Sequence, residues 1–230
     1  RAYAIASSVP KGPVYVSLPR EVLCEPCPGD AIDGPLRQQP VQIAPPQASV
    51  ETAADILAKA KNPVIIAQRG TGTAEAFGRF ADLVDQWGIP VVQYWAIQLA
   101  IGTEHPMFAG MDPAPWLKDA DAVVVIDCLA PWSPDIHALR DDCKVVQVGQ
   151  NPLYSRFPGR NFAADISLAG ETGDVIMMLA EALDRRQGDH SDACEARRSK
   201  VAAINADTRK KALAMADAGA VDPMSKGYVS

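Results

Sequence analysis

A turn with two glycines is the first place in the chain where chemistry could be expected. Gly70 and Gly72 flank Thr71 between a β-branched run and a stretch with helical apolar periodicity, so the turn would join a strand to a helix. Such a turn presents free backbone N–H groups, which suit an anion such as a nucleotide phosphate. The dinucleotide-binding pattern needs a third glycine where this chain has Glu75. An ordinary tight turn is therefore favoured, and a nucleotide site stays open as the alternative.

The end of another apolar run carries the second candidate. Asp127 and Cys128 follow residues 122–126, and doubly wound sheets bind ligands at the carboxyl ends of their strands. A carboxylate in that place can equally cap a neighbouring helix, so position alone does not assign a function. Trp132 is interpreted as a packing anchor in preference to an aromatic wall for a ligand, because a tryptophan buries a large area.

Cysteines and histidines give no catalytic or metal pattern. Cys24 and Cys27 have the spacing of half a zinc site, but no second Cys or His pair stands nearby to complete four ligands, so linker thiols are favoured. His105, His137 and His190 have no partners at the spacing of a catalytic triad, and solvated or hydrogen-bonded histidines are the better interpretation. The sequence therefore predicts no catalytic residue and no metal ligand.

Composition excludes several classes of partner. The 230 residues carry a formal net charge of −6 and a pI near 5.1, which disfavour a nucleic-acid partner because such binding rests on clustered Lys and Arg. No apolar run approaches the ~20 residues that span a bilayer, and the first residues show no signal pattern. We expect a cytoplasmic protein whose five cysteines are reduced, with no membrane partner.

The elements that would position these residues alternate between strands and helices. Apolar β-rich runs predict strands at 12–19, 63–67, 89–93, 122–126, 144–148 and 165–168. Helical periodicity predicts helices from an N-cap at Ser49, after the Gly70 turn, around Trp116, around His137, across 175–182 and over the charged residues 188–219. This alternation predicts an α/β fold, a doubly wound parallel sheet with helices on both faces (Rossmann-like), flanked by linkers.

Three stretches, taken in order, resemble the thiamine-diphosphate-dependent enzymes of the acetolactate synthase and 2-oxo-acid decarboxylase family. Residues 12–23, with their Gly-Pro-Val start, are similar to the end of that family's pyrimidine-binding domain. Residues 58–70, together with His105-Pro106, Gly110-Met111 and 120–127, resemble its central domain. Residues 222–229 are similar to the opening of its diphosphate-binding domain.

The resemblance implies a division of the chain into five parts. Residues 1–25 would be the tail of the pyrimidine-binding domain, 26–47 a Pro-rich linker and 48–186 the central Rossmann-like domain. Residues 187–222 would form a charged helical linker, and 223–230 would start the diphosphate-binding domain. The chain is thus expected to be a fragment whose partners are the missing pyrimidine- and diphosphate-binding domains of the same enzyme, in a parent that is a homo-oligomer.

The resemblance also implies where the cofactor lies. The family's catalytic glutamate precedes the part matched here, and its Gly-Asp-Gly motif for magnesium and diphosphate follows it. Gly173-Asp174-Val175 and Gly188-Asp189-His190 are the nearest approximations, and both differ at the third position. The parent would be a lyase or transferase that uses thiamine diphosphate and magnesium. This chain alone is expected to bind neither and to be inactive, with the task of orienting the two cofactor-binding domains.

Some relatives hold FAD or another nucleotide on the central domain, which marks a candidate nucleotide site here. The positions concerned are Arg69, Gly70, Thr71, His105, Gly110 and Asp127. FAD-binding relatives use an Arg-rich segment after the strand that ends at Asp127, whereas this chain has residues 128–134, which contain no arginine. This departure argues against FAD. A nucleotide-binding module and a dimerisation scaffold stay open as alternatives to the orienting role.

Overall fold

Five strands and seven helices make up the described part of the chain. The computed structural model describes residues 1–27, 29, 38–186 and 191–221. In chain order the elements are α1 (Ala2–Ser7), α2 (Arg20–Leu23), α3 (Gln47–Lys59), β1 (Pro63–Ala67), α4 (Ala74–Trp87), β2 (Val91–Val92), α5 (Ala114–Leu117), β3 (Ala122–Ile126), β4 (Lys144–Gly149), β5 (Ile166–Ala169), α6 (Thr172–Asp184) and α7 (Ser191–Val221). His190 and residues 222–230, which the sequence resemblance used, lie outside the described residues.

The strands form one parallel sheet in the order β2-β1-β3-β4-β5. The central pair runs from Pro63 opposite Ala122 to Ala67 opposite Ile126. Both strands are rich in β-branched residues and buried along their length, as expected when a parallel sheet is covered on both sides. The chain leaves β1 towards β2 and then crosses to the other side of β1 to form β3, so the winding direction changes between β1 and β3.

The two faces of the sheet are covered differently. On one face α3, α4 and α6 pack on alternate strand residues such as Ile65 and Val124, and the first part of α7 joins them. On the other face Val64 and Val123 meet the short helix α5 and irregular segments that carry Trp132. The predicted α/β fold class, a parallel sheet with helices on both faces, is confirmed.

The prediction of a strand at residues 12–19 is wrong. Those residues have no regular secondary structure and pair with no strand of the described sheet, and Tyr15 is 91% exposed. A β-rich run becomes a strand only where a neighbouring strand accepts its hydrogen bonds, and sequence pattern does not report that neighbour.

Three further features differ from the sequence prediction by more than one residue. Helix α3 begins at Gln47 after Pro46, so Ser49 lies inside the helix and is not its cap. Strand β2 spans only Val91–Val92. On its outer side Val91 pairs with residues 107–109, and its N–H donates to Met107 O at 2.9 Å. His137 follows a turn at 134–136 and is not in a short helix.

The predicted charged helix is present as α7, and its first turns pack against α4. The junction is Gly88, whose left-handed φ of 61° ends α4. A Cβ on Gly88 would lie 2.5 Å from Cys194 O and 2.7 Å from Arg198 N, both backbone atoms of α7. Arg197 adds a 2.8 Å hydrogen bond from Nη2 to Trp87 O. The glycine therefore permits the close approach of the two helices.

An ion-pair cluster joins α3 to the end of α6. Glu51 accepts hydrogen bonds from Gln47 Nε2 at 2.8 Å and from Arg185 Nη2 at 2.5 Å, and its Oε2 lies 2.8 Å from Arg186 Nη2. Arg186 also donates from Nε to Asp55 Oδ1 at 2.6 Å. The hydrogen bonds from Gln47, Arg186 and Arg185 lower the pKa of Glu51 from 4.5 to about 2.

Substituting Gly88 by alanine should separate α7 from α4. We expect Gly88→Ala to lower the free energy of unfolding by more than about 1 kcal/mol, because the new Cβ meets backbone atoms and φ is left-handed. Urea denaturation measures the change. The control is Gly78→Ala in the same helix, where a Cβ meets nothing within 4 Å and should stabilise by about 0.5–1 kcal/mol. Equal effects of the two variants would contradict the close packing at Gly88.

Glu51→Gln should show a stability loss that depends on pH. A carboxyl with a lowered pKa in the folded state stabilises above its unfolded value of 4.5, and this contribution is lost as pH falls towards about 2. The variant should therefore melt below wild type near neutral pH, and the gap should shrink in acid. Thermal melts followed by circular dichroism at several pH values provide the measurement. Glu181→Gln, at an exposed position of α6, is the control. A gap that stays constant in acid would disprove the expected link.

Candidate functional site

A cavity of about 380 Å³ lies at the carboxyl edge of the sheet, where the parallel strands all end. We call it the carboxyl-edge cavity. It lies beside the change in winding direction between β1 and β3, the usual ligand position in this kind of fold. Its lining residues are Arg69, Gly72, Ile97, Gln98, Asp127, Gln150, Glu171 and Thr172.

The turn after β1 forms one wall of the carboxyl-edge cavity. Gly70 and Gly72 have left-handed φ values of 73° and 86°. A Cβ on Gly72 would lie 3.1 Å from Gly173 N, so the turn packs directly on the start of α6. Thr73 caps α4 by accepting a 3.1 Å hydrogen bond from Ala76 N. The amino ends of α4 and α6, with their positive dipole ends, thus lie close together beside the cavity.

Gln68 holds three chain segments together behind this wall. Its backbone O accepts from Ile97 N at 2.7 Å and from Gln98 N at 3.2 Å, and its side-chain Oε1 accepts from Leu129 N at 3.0 Å. Gln68 is buried, so these bonds compensate for the loss of water. Its role was not predicted, because a glutamine directly after a strand has no distinctive sequence pattern.

Asp127 is held in an unusual backbone conformation by its neighbours. Its φ is 45°, and Tyr154, at φ 49°, donates from its hydroxyl to Asp127 Oδ1 at 3.1 Å. Burial and the charge of Asp127 raise the pKa of Tyr154, so the phenol keeps its proton and remains a donor. Arg160 lies 4.8 Å from the Tyr154 ring centre and donates to the carbonyls of Cys128 and Leu129, both at 2.9 Å.

The residues next to Asp127 are structural. Burial raises the pKa of the Cys128 thiol, with the charge of Asp127 adding to the effect, which leaves it a poor nucleophile. Trp132 is buried and packs edge to face on Phe162 at 5.3 Å, so its interpretation as a packing anchor is confirmed. His137 is also buried, and its Nδ1 accepts a hydrogen bond from Ser133 N at 3.0 Å.

A polar contact from the start of the chain closes another side of the cavity. Lys11 Nζ lies 2.6 Å from Glu171 Oε1, and the Lys11 backbone N donates to Gln150 Oε1 at 2.9 Å. Gln150 Nε2 in turn donates to Glu171 Oε2 at 2.8 Å. Gln150 directly follows β4, and Glu171 follows β5 after one intervening residue, Gly170. Neither residue was predicted from the sequence, although the rule that pointed to the ends of β1 and β3 applies equally to these strands.

The structure brings together four of the six predicted nucleotide-site residues. Arg69 and Asp127 line the carboxyl-edge cavity, and Gly70 and Thr71 belong to the turn beside it. Thr71 is only 3% exposed, so it shapes the turn from the inside.

The other two predicted residues lie elsewhere. Burial lowers the pKa of His105, its Nδ1 accepts from Met107 N, and its O accepts from Asn205 Nδ2 of α7. Gly110 lies beside β2, where its O accepts from Gln93 N, and it borders a different cavity. His105 is neutral and structural in this position.

The carboxyl-edge cavity is suited to binding. It offers the Arg69 guanidinium and the starts of two helices to an anion, and the Asp127 and Glu171 carboxylates to hydroxyl groups. Within 1–27, 29, 38–186 and 191–221, no group of three or more His, Cys, Asp or Glu side chains is arranged to hold a metal ion. In the same ranges no helix is both long and apolar enough to cross a bilayer.

Comparisons with known proteins point to one family. The family model described as thiamine pyrophosphate enzyme, central domain, matches residues 50–179. A probable acetolactate synthase large subunit of Methanococcus aeolicus is 25% identical over 197 residues, which cover 80% of this chain and 32% of that protein. Human 2-hydroxyacyl-CoA lyase 1 is 26% identical over 151 residues, 64% of this chain and 25% of that protein.

Solved structures agree on the fold. The benzoylformate decarboxylase of Polynucleobacter necessarius superposes with a TM-score of 0.66 at 20% identity, over 79% of this chain and 35% of that one. The chain thus spans about a third of the length of the relatives it matches. With more than half of its residues matched by the family model, the chain belongs to the family of thiamine pyrophosphate enzyme central domains.

Proposed function

We propose that this chain is the central, non-catalytic domain of a thiamine-diphosphate-dependent 2-oxo-acid decarboxylase or carboligase, where it orients the two cofactor-binding domains. The observation that carries the proposal is the match of residues 50–179 to the central-domain model. The chain covers only 32% of an acetolactate synthase relative, which is consistent with cofactor-binding domains outside it.

The positions of the two flanking segments support an orienting role. The segment that follows α1 docks at the carboxyl edge of the sheet, through Lys11 and through Val9, whose N–H donates to Val41 O at 3.0 Å. Helix α7 docks near the opposite edge, at Gly88 before β2. A rigid sheet between two docked segments fixes the distance and angle between the domains that they lead to.

Two stretches come nearest to the cofactor motif, and of these residues 188–190 lie outside the described part of the chain. The other stretch does not fit thiamine diphosphate. Gly173, Asp174 and Val175 lie in the first turn of α6, not in a loop that could fold around a diphosphate and its magnesium ion. A Cβ on Gly173 would lie 3.2 Å from Thr71 O, so this glycine serves the contact between the α4 and α6 ends. In the parent enzyme, thiamine diphosphate would supply the electron sink for decarboxylation from other domains.

Cofactor titration tests the proposal. We expect no saturable binding of thiamine diphosphate with magnesium in calorimetry, and no release of carbon dioxide from pyruvate, because residues 173–175, the nearest described approximation to the cofactor motif, do not form a diphosphate site. An intact acetolactate synthase serves as the positive control for both assays. Tight binding that Asp174→Ala abolishes, or robust turnover by the chain alone, would overturn the proposal.

Nucleotide binding at the carboxyl-edge cavity is the second candidate function. The observation in its favour is the convergence of Arg69, two helix starts and two carboxylates on one cavity of about 380 Å³. Arg69 and the helix starts suit the phosphates of an adenine nucleotide, and Asp127 or Glu171 suits ribose hydroxyls. Residues 128–134 follow Asp127 without an arginine, so ADP is a better candidate than FAD.

Removing the Arg69 charge tests this candidate. If ADP binds, Arg69→Ala should weaken it by about tenfold or more, the usual effect of losing a hydrogen bond to a charged group. Arg156→Ala, at an exposed arginine outside the cavity lining, is the matched control and should bind as wild type does. Calorimetry with ADP, and flavin fluorescence with FAD, measure the affinities. Equal losses in both variants, or no ADP binding by wild type, would count against a nucleotide site.

A further inference from the structure

A second and larger cavity, of about 510 Å³, lies at the opposite edge of the sheet. We call it the amino-edge cavity. Its lining includes Asn62 and Pro90, which precede β1 and β2, and residues from the middle of α7. Its volume falls within the range of about 300–1,000 Å³ that is typical of small-molecule sites. None of the carboxyl-edge residues discussed above lines it.

The walls of this cavity are largely apolar. The aromatic side chains of Phe108 and Trp116 line it, as do Val201 and Ile204 of α7. The indole of Trp116 is fixed by a 3.1 Å hydrogen bond from Nε1 to Ala109 O, so it presents a rigid flat surface. Val201 is 4% exposed, whereas Ile204 is 42% exposed at the mouth. Such walls suit a flat aromatic ring.

Charged side chains of both signs line the cavity. Three are basic and two are acidic: Lys118, Arg197, Lys200, Asp112 and Asp119. Arg197 and Lys200 belong to α7, whereas Asp112 and Asp119 belong to the segment around α5. Asp112 is engaged, because its Oδ1 accepts from Ala114 N at 2.9 Å and lies 3.9 Å from His137 Nε2.

Arg197 and Lys200, the two basic residues of α7 that line the cavity, have hydrogen-bonding capacity left for a ligand. Arg197 is anchored through Nη2 to Trp87 O and Cys194 Sγ, whereas its Nη1 donates to no described residue. Lys200 lies within ion-pair distance of no acidic side chain in the described ranges. A positioned guanidinium and an ammonium next to an aromatic wall make a site for an anion with an apolar body.

We propose that the amino-edge cavity binds a small aromatic carboxylate. The ring lies between Trp116 and Ile204, and the carboxylate meets Arg197 and Lys200 of α7. A ligand in this position contacts both α7 and the segment from 108 to 116, so its binding stabilises the docking of α7 on the domain. The proposal does not depend on the function proposed above, since it concerns a separate cavity at the other edge of the sheet.

Calorimetry on the whole chain with 2-naphthoate tests the proposal. We expect saturable binding at one site, and an affinity at least about tenfold lower for the neutral analogue 2-naphthalenemethanol, which cannot pair with the two cations. The cationic analogue 2-naphthylmethylamine should bind more weakly still. No saturable binding of 2-naphthoate, or equal binding of the acid and the alcohol, would overturn the proposal.

Variants locate the binding to this cavity. Ile204→Trp fills the mouth and Lys200→Glu reverses one charge, so each should weaken 2-naphthoate binding by about tenfold or more. Lys210→Glu makes the same charge change on an exposed position of α7 outside the lining, and it should bind as wild type does. Circular dichroism confirms that each variant is folded. Unchanged affinity in Ile204→Trp, or equal losses in Lys200→Glu and Lys210→Glu, would refute the site.

Discussion

Burial of a parallel sheet on both faces is the constraint on which the rest of this structure depends. The central strands β1 and β3 are apolar along their whole length, so each face requires a cover. Three long helices cover one face, but the chain between β3 and β5 contains no long helix to cover the other. Loops take over that task, and Arg160 holds them by hydrogen bonds to Cys128 O, Leu129 O and Pro152 O. The same loops place Asp127 and Tyr154 at the carboxyl edge.

Sequence predicted the sheet well where burial alone determines structure. Residues 63–67 and 122–126 are continuous apolar β-branched runs, and both are strands with the predicted bounds. The equally β-rich residues 12–19 are not a strand, because pairing depends on a neighbour that local pattern does not reveal. The shortness of β2 has a similar cause, since its outer side pairs with residues 107–109, which carry no strand signal.

The candidate site was predictable only in part. Strand ends pointed correctly to Arg69 and Asp127, because parallel strands bring their carboxyl ends to one edge. His105 and Gly110 came from resemblance, and neither of them lines the carboxyl-edge cavity. Gln68 and Glu171 contact residues that are distant in sequence, Leu129 and Lys11. Such contacts cannot be predicted without knowing how the strands pair and where the first residues lie.

The contact of Lys11 with Glu171 and Gln150 couples the carboxyl-edge cavity to the segment that precedes it. Lys11 belongs to residues that lead away from the sheet, while its two partners belong to the cavity wall. A displacement of Lys11 breaks its contacts with Glu171 and Gln150, two residues of that wall. By reciprocity, a molecule that binds only while these contacts are intact favours the docked position of the Lys11 segment by the same free energy. Occupancy of the cavity would then report on the docking of the first residues of the chain.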